Sequence, residues 1–390
     1  MSEGWLHTFV ETHALDPSWR RVISALDRRH LRPMASGPAR AGARGAPARV
    51  SVVIPCFNYG RYLPAAVASA LDQDGVDVEV LVVDDASTDG SGEVADSLAA
   101  ADARVRVLHN DANSGHVVTF NNGLAAVTGE FVVRLDADDL LTPGCLERAV
   151  ALFRAVPSVG LVYGHPRHFL DDDVPPARER ELTWTVWHGV DWFGERCRTG
   201  VNCITTPEAM VRRSVIDDIG PLNTELRFAQ DMEMWCRVAT VSDVGHVAGA
   251  DQALHRDHAG SMSVTDGAPL LVDLEERATV FRVVGESMGE RVPAIVPMVA
   301  KARSALATEA LRAAQHLIDR HRAEPGVVED LLEFARDLHP SSRTSAKASV
   351  VTDSFGRAET ALARAAGVVR AASHRVGYEA AFLRWTVRGL

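Results

Sequence analysis

The chain is short of cysteine, of long apolar runs and of positive charge, and each shortage excludes something. Its five cysteines (Cys56, Cys145, Cys197, Cys203 and Cys236) include no Cys-x-x-Cys pair. That argues against a zinc finger or a disulfide framework and fits reduced thiols. No apolar run approaches the roughly 20 residues of a membrane span. The opening residues Met1-Ser2-Glu3-Gly4-Trp5 lack the basic stretch and apolar core of a signal peptide. Lys and Arg total 41 against 52 Asp and Glu, a formal net charge of −11, which is wrong for a general nucleic-acid binder. A cytoplasmic location without nucleic-acid partners is the resulting expectation. At 390 residues, 46% apolar and 24% charged, the composition is that of a globular protein larger than one typical domain.

Acid, by contrast, is concentrated in one place. In Arg134-Leu135-Asp136-Ala137-Asp138-Asp139 an apolar strand-like segment, Phe131-Val132-Val133, runs into three carboxylates within four positions. Folding does not ask for this, because like charges so close repel and each must be solvated or meet a cation. Oxygen ligands gathered at a strand end suit a hard divalent metal, Mg²⁺ or Mn²⁺. The plainer alternative, a solvated helix N-terminus ahead of Pro143, accounts for one carboxylate rather than three.

Around this run, strands and helices alternate. Val50–Ile54, Val78–Val83, Val105–Leu108, Phe131–Leu135 and Val159–Tyr163 read as strands. Tyr62–Leu71, Ser91–Ala101, Val117–Val127 and the segment from Pro143 to Phe153 read as helices. The alternation predicts βαβ units in a doubly wound α/β sheet, whose ligands bind beyond the carboxyl ends of the strands. Three loops should converge there: Pro55-Cys56-Phe57-Asn58, Asp84-Asp85-Ala86-Ser87-Thr88-Asp89 and the acidic run. Residues 1–31 read as one or two short helices, and 32–48, rich in Pro, Ala, Gly and Arg, as a linker. Beyond 166 the pattern turns irregular, and Trp184, Trp187 and Trp192 suit packing better than sugar stacking. Asp231–Val241 reads as a helix, and the chain from about Leu270 onward is mostly helical.

Taken together, VSVVIPCFNYGRYL at 50–63, VLVVDDASTDGS at 80–91, NSGHVVTFNNGL at 113–124 and FVVRLDADDLLTPG at 131–144 resemble the successive signatures of family 2 glycosyltransferases with the GT-A fold. Four blocks in order are far more specific than any one. The resemblance covers about residues 49–262. It implies a GT-A type, Rossmann-like doubly wound mixed sheet over 49–262, with a helical segment and flexible linker over 1–48 and a helical region over 263–390. The implied activity is inverting transfer of a sugar from a nucleotide-sugar donor to an acceptor hydroxyl.

The resemblance also implies roles for individual residues. Pro55, Phe57, Asn58, Asp84, Asp85, Asp136 and Arg256 fall at donor-binding positions, with Asp84 and Asp85 at the nucleoside, where carboxylates accept hydrogen bonds from base N–H or ribose hydroxyls. Asp136, Asp138 and His258 fall at the metal, Mg²⁺ or Mn²⁺, without which a diphosphate leaving group and two carboxylates would repel. Asp138 is the more direct ligand and Asp139 supports it. The segment RFAQDMEMWCRVA at 227–239 places Asp231 as general base, with Gln230 where Glu is commoner. An ordinary helix cap explains Asp231 too, and both can hold at once. LHRDHAGSMS at 254–263 supplies Arg256 and His258, with Leu254-His255 where an aromatic is usual.

The neighbours read more plainly. Asp89 closes a turn, Glu233 lies on another side of its helix and is the weaker base, His255 and His116 are structural, and Arg134 pairs with an acidic-run carboxylate. Arg212-Arg213 reads as a solvated pair. The Arg-rich stretch 354–390, with Phe382, Leu383 and Trp385, suits packing onto the acidic catalytic domain better than peripheral contact with an anionic bilayer. The acceptor, whether glycan, lipid-linked or small molecule, is not legible, because its pocket falls in the irregular stretch 166–230. A nucleotidyltransferase would carry a Gly-rich phosphate loop after the first strand, where this chain has a single Gly, Gly60. A non-catalytic sugar-nucleotide-binding or scaffold protein would have no need of Asp138 and Asp231.

Overall fold

The computed structural model describes residues 31–38, 46–170, 172–258, 270–319, 325–340, 351, 385 and 389–390. The helices expected before residue 31 and nearly all of the Arg-rich stretch 354–390 lie outside these. The strands are β1 (Ala35–Pro38), β2 (Ala48–Cys56), β3 (Val76–Asp84), β4 (Val105–His109), β5 (Phe131–Arg134), β6 (Leu140–Leu141), β7 (Val159–Leu170), β8 (Thr183–Trp187), β9 (Met210–Arg212) and β10 (Asp243–Asp257). The helices are α1 (Leu63–Leu71), α2 (Ser91–Ala101), α3 (His116–Ala126), α4 (Cys145–Ala155), α5 (Gly189–Thr199), α6 (Arg213–Ile219), α7 (Gln230–Val241), α8 (Leu270–Met288), α9 (Val296–Asp319) and α10 (Pro325–Leu338).

The strands form one sheet in the order β1-β8-β10-β7-β9-β5-β2-β3-β4, with β6 paired to β10 off this path. From β5 to β4 all pairings are parallel. Such strands are covered on both faces, which is why they are nearly continuous apolar runs. Side chains alternate between two cores: Val52, Ile54 and Val82 meet α1 and α4, while Val53 and Val83 meet α3 on the other face. Gly123 lets α3 lie flush on the sheet, since a Cβ there would come within 2.5 Å of Val53. The short β9 runs antiparallel to both β5 and β7, making the sheet mixed. This is the α/β GT-A architecture expected from the resemblance.

The linker expectation for 32–48 is corrected at 35–38, where β1 pairs antiparallel with β8, from Ala35 opposite Val186 to Pro38 opposite Thr183; residues 39–45 lie outside the described residues. An edge strand tolerates Pro and needs no apolar run. Small residues are required here, because a Cβ on Gly37 would sit 2.9 Å from the Trp184 ring. The stretch after 166 is also more regular than its pattern indicates, since β7 continues to Leu170 and β8 and α5 follow. Trp184, Trp187 and Trp192 are all buried.

The helices after residue 270 are not a detached layer. Leu274, Phe281, Leu306 and Leu331 belong to the same apolar core as Trp192 of α5 and Met232 of α7. The end of the chain packs there too. Trp385 Nε1 donates to the Cys203 carbonyl at 2.8 Å, and the Tyr163 hydroxyl donates to the Gly389 carbonyl. All five cysteines are free and buried, and burial pushes the thiols of Cys56 and Cys145 up to about 11 and about 12. Among the described residues no helix is long and apolar enough to cross a membrane.

Candidate active site

The loops after β2, β3 and β5 meet at one edge of the sheet, as a doubly wound topology requires. Pro55 is buried within β2, and Phe57, just beyond the strand, is 41% exposed. Asn58 has a left-handed backbone (φ 58°). Its Oδ1 accepts from Thr88 N at 2.8 Å, and its own N–H donates to Ser87 Oγ at 3.0 Å. It therefore ties the first loop to the second. Asp84 Oδ1 accepts from Ser87 N at 3.4 Å, and its Oδ2 faces His109 Nδ1 at 3.4 Å.

Asp85 is more fully engaged. Oδ1 accepts from Asn110 Nδ2 and Ser114 N, both at 2.8 Å, and Oδ2 from Gly115 N at 2.9 Å. Burial disfavours its ionised form, but these donors outweigh it and hold the carboxyl below the usual range. Two of the donors, Ser114 N and Gly115 N, come from the entry to α3, so Asp85 anchors that helix. Asp89, as expected, closes its turn on Ser91 N at 3.0 Å.

Each of the three crowded carboxylates finds its own partner. Asp136 Oδ1 accepts from Arg134 Nε at 3.0 Å and Nη2 at 2.9 Å. Burial opposes its ionisation, and the Arg134 charge overcomes this and holds the group low. Asp138 Oδ2 lies 3.0 Å from His258 Nε2. Burial first, then the charge of Asp136, push Asp138 up against the opposing pull of His258. Asp139 is completely buried, and its oxygens face His255 Nδ1 at 3.0 Å and accept from Arg256 N at 2.8 Å. Burial draws His255 down, but the Asp139 hydrogen bond and charge prevail and raise it to about 9.

Arg256 is enclosed rather than free to swing. Its Nε donates to the Asp138 carbonyl at 2.9 Å, its Nη1 meets Asp172 at 3.0 Å, and its guanidinium stacks on Tyr62 and Phe169. Tyr59 and Tyr62 flank the His258 ring at centroid distances of 5.7 and 5.5 Å. Burial and then the charge of Asp138 raise the Tyr59 phenol to about 12. These two aromatics were not singled out from the sequence as site residues. The signal for them is their place in the loop after the first strand.

Asp231 opens α7 beside a small cavity that it shares with Arg134, Thr206, Met234 and Trp235. Its Oδ2 accepts from Asn202 Nδ2 at 3.1 Å and Thr206 Oγ1 at 3.3 Å. Burial raises the carboxyl to about 6, opposed by the Met232 N–H and the Arg134 charge. Gln230, with its amide oriented to suit its neighbours, accepts from Arg134 Nη1 at 3.3 Å. Arg134 thus reaches from the acidic loop to the start of α7, and its Nη2 also lies 3.1 Å from His116 Nδ1. Asn202 and Thr206 come from a loop without periodic pattern and leave no signal in the sequence.

The other candidates are placed elsewhere. Glu233 is locked in a buried pair with Arg237, at 2.6 and 2.8 Å. Arg212 stacks between Phe131 and Phe153, and Arg213 donates to the carbonyls of Leu124 and Val127 at the end of α3. The solvated-pair reading of these two arginines is therefore corrected: both are bound into the scaffold.

Two carboxylates and one imidazole, Asp136, Asp138 and His258, suit Mg²⁺ or Mn²⁺ in their chemistry; the structure brings Asp138 and His258 together, but the ligand atoms of all three do not lie within 4.8 Å of one another. Only one oxygen of Asp136 is engaged by Arg134, and the pKa of Asp138, a partly buried carboxylate beside a second one, is raised.

Known proteins resemble the chain in sequence and in fold. Residues 51–220 match the family model described as Glycosyl transferase family 2. An uncharacterized glycosyltransferase of Nostoc sp. is 41% identical over 116 residues, covering 30% of this chain and 36% of that protein. Glycosyltransferase GlyG of Streptococcus pneumoniae is 39% identical over 98 residues, covering 25% of this chain and 33% of that protein. The chain thus spans about a third of the length of these two relatives. Among solved structures, the mannosyltransferase PcManGT from Pyrobaculum calidifontis, in complex with GDP-Man and Mn²⁺, superposes with a TM-score of 0.52 at 17% identity, covering 98% of this chain and 97% of that one. At that identity the likeness is one of fold. Residues 51–220 thus match glycosyl transferase family 2, and the likeness of fold extends beyond them.

Proposed function

We propose that the chain transfers a sugar from a nucleotide-sugar donor to an acceptor hydroxyl with inversion, using Mg²⁺ or Mn²⁺. The observation that carries this reading is the link through Arg134 between a carboxylate of raised pKa, Asp231, and the acidic loop that begins at Asp136. A base and a leaving-group site must face one reacting carbon from opposite sides, and Arg134 spans the two.

In this mechanism Asp231 takes the proton from the attacking hydroxyl. A carboxyl titrating near 6 is ionised at neutral pH and a stronger base than an ordinary aspartate. Asn202 and Thr206 hold the Oδ2 side of its carboxylate. Asp84 and the exposed Phe57 ring contact the nucleoside, the first by accepting hydrogen bonds and the second by stacking. Asp85 and Asn58 keep the loops that carry them in place. Arg256 lies beside the diphosphate position and holds the Asp138 backbone. A divalent ion bound at Asp136, Asp138 and His258 would offset charge on the departing nucleoside diphosphate. A cytoplasmic location fits the reduced thiols.

The test is a panel of UDP- and GDP-sugars with Mn²⁺, read by nucleoside diphosphate release and by thermal shift. One donor should raise the melting temperature and be turned over, and Asp231→Asn should keep the thermal shift while losing turnover. If no nucleotide sugar stabilises the protein, or if Asp231→Asn turns over at the wild-type rate, the reading fails.

A further inference from the structure

Apart from the acidic loop and its base, β7 and β10 end in a second cluster of ligating groups. The two strands are parallel neighbours, and their register sets His255 opposite His168. Residues two apart on a strand share a face, so Asp257 projects beside both. His168 Nδ1 lies 3.1 Å from Asp257 Oδ2, His255 Nε2 lies 3.9 Å from Asp257 Oδ1, and the two imidazoles stand edge to face at 4.9 Å. One ligand atom from each of the three residues falls within 4.8 Å of the others. Ligands about 2.0–2.2 Å from a tetrahedral ion are spaced roughly 3.3 Å apart, and the two measured ligand-atom distances bracket that spacing.

The second observation is what holds His255. Its Nδ1 faces Asp139 Oδ2 at 3.0 Å, and Asp139 is itself fixed by the Arg256 N–H at 2.8 Å. A buried carboxylate on one ring nitrogen sets the tautomer and aims the other nitrogen outward, as around metal-bound histidines. A surface ion pair has no need of that support. The side chains of His168 and Asp257 are 51% and 42% exposed, so an ion has a way in and water can complete its shell.

We infer that His168, His255 and Asp257 form a second metal site, for a borderline transition ion such as Zn²⁺, separate from Asp136, Asp138 and His258. Two imidazoles and one carboxylate select Zn²⁺ over Mg²⁺. The ion pins the end of β7 to β10 and, through His255 and Asp139, braces the acidic loop from behind. The competing occupant is a proton, which would make His255 an imidazolium bridging Asp139 and Asp257.

The experiment is calorimetric Zn²⁺ titration of the full chain in excess Mg²⁺, which keeps the acidic loop occupied, with the visible absorption of bound Co²⁺ as a second readout. Wild type should bind a single equivalent with the spectrum of four- or five-coordinate Co²⁺. His168→Ala and Asp257→Asn, at exposed positions, should weaken binding about tenfold or more, and His258→Ala should bind like wild type. If wild type takes up no Zn²⁺, if His168→Ala and Asp257→Asn bind it as tightly, or if His258→Ala weakens it equally, the inference fails. Failure of these outcomes leaves the proposed transfer reaction standing, because its test reads nucleotide-sugar binding and turnover rather than Zn²⁺ uptake.

Discussion

Asp85, at the end of β3, and Asp231, at the start of α7, are both buried carboxylates, and their surroundings push them in opposite directions. Around Asp85, backbone donors at the entry to α3 and the Asn110 side chain outweigh what burial costs, and the ionised form is favoured. Around Asp231, burial wins and the carboxyl rises to about 6. Asp85 is used to hold loops, whereas Asp231, the proposed base, is kept under electrostatic stress. Stress of that kind is what a base needs and what stability pays for.

The largest expected effect tests the stressed side. Asp231→Asn should lower turnover by about 10²–10⁴-fold, the usual worth of a general base, in the diphosphate-release assay. On the scaffold side, Asp85→Asn removes an ionised acceptor of three hydrogen bonds and should cost about 2–3 kcal/mol in urea unfolding. Because the folded pKa of Asp85 is depressed, its contribution is present above the unfolded value and lost on acidification. The gap between wild type and Asp85→Asn should therefore narrow below about pH 4.

A pH profile divides the two carboxylates further. Since Asp231 must be ionised to accept a proton, kcat/KM should fall about tenfold for each pH unit below about 6. A limb near pH 4 would instead mean that the base is an unstressed carboxylate. The smallest effect is the most discriminating. Asp231 has a raised folded pKa, so its favourable contribution exists below the unfolded value and is lost as pH rises through about 6. At pH 8 Asp231→Asn should be as stable as wild type or more stable, by on the order of 1 kcal/mol. A loss of stability there would make Asp231 a scaffold residue like Asp85.

The parallel half of the sheet was readable because its signals are local. Strands buried on both faces must be apolar throughout, and β2, β3, β4 and β5 lie within a residue or two of their expected bounds. The other half was not. β1 is an Ala-Ser-Gly-Pro edge strand shaped by the Trp184 ring, so its composition reads as linker. α5 carries Trp192, Phe193 and Cys197 on a buried face, but it follows a stretch without clear period, and its partners α7 and α9 are distant in sequence.

The candidate site divides in the same way. The sequence by itself determined that three carboxylates sit together at a strand end and that Asp231 opens a helix, because adjacency and periodicity are properties of a short segment. Only the tertiary structure decided what each carboxylate meets. Asp136 turns to Arg134, Asp138 to His258 at a separation of 120 residues, and Asp139 to His255 at 116. The physical reason is that a buried charge takes its state from whatever the fold brings within hydrogen-bonding reach, and here that reach crosses from β5 to the far end of β10.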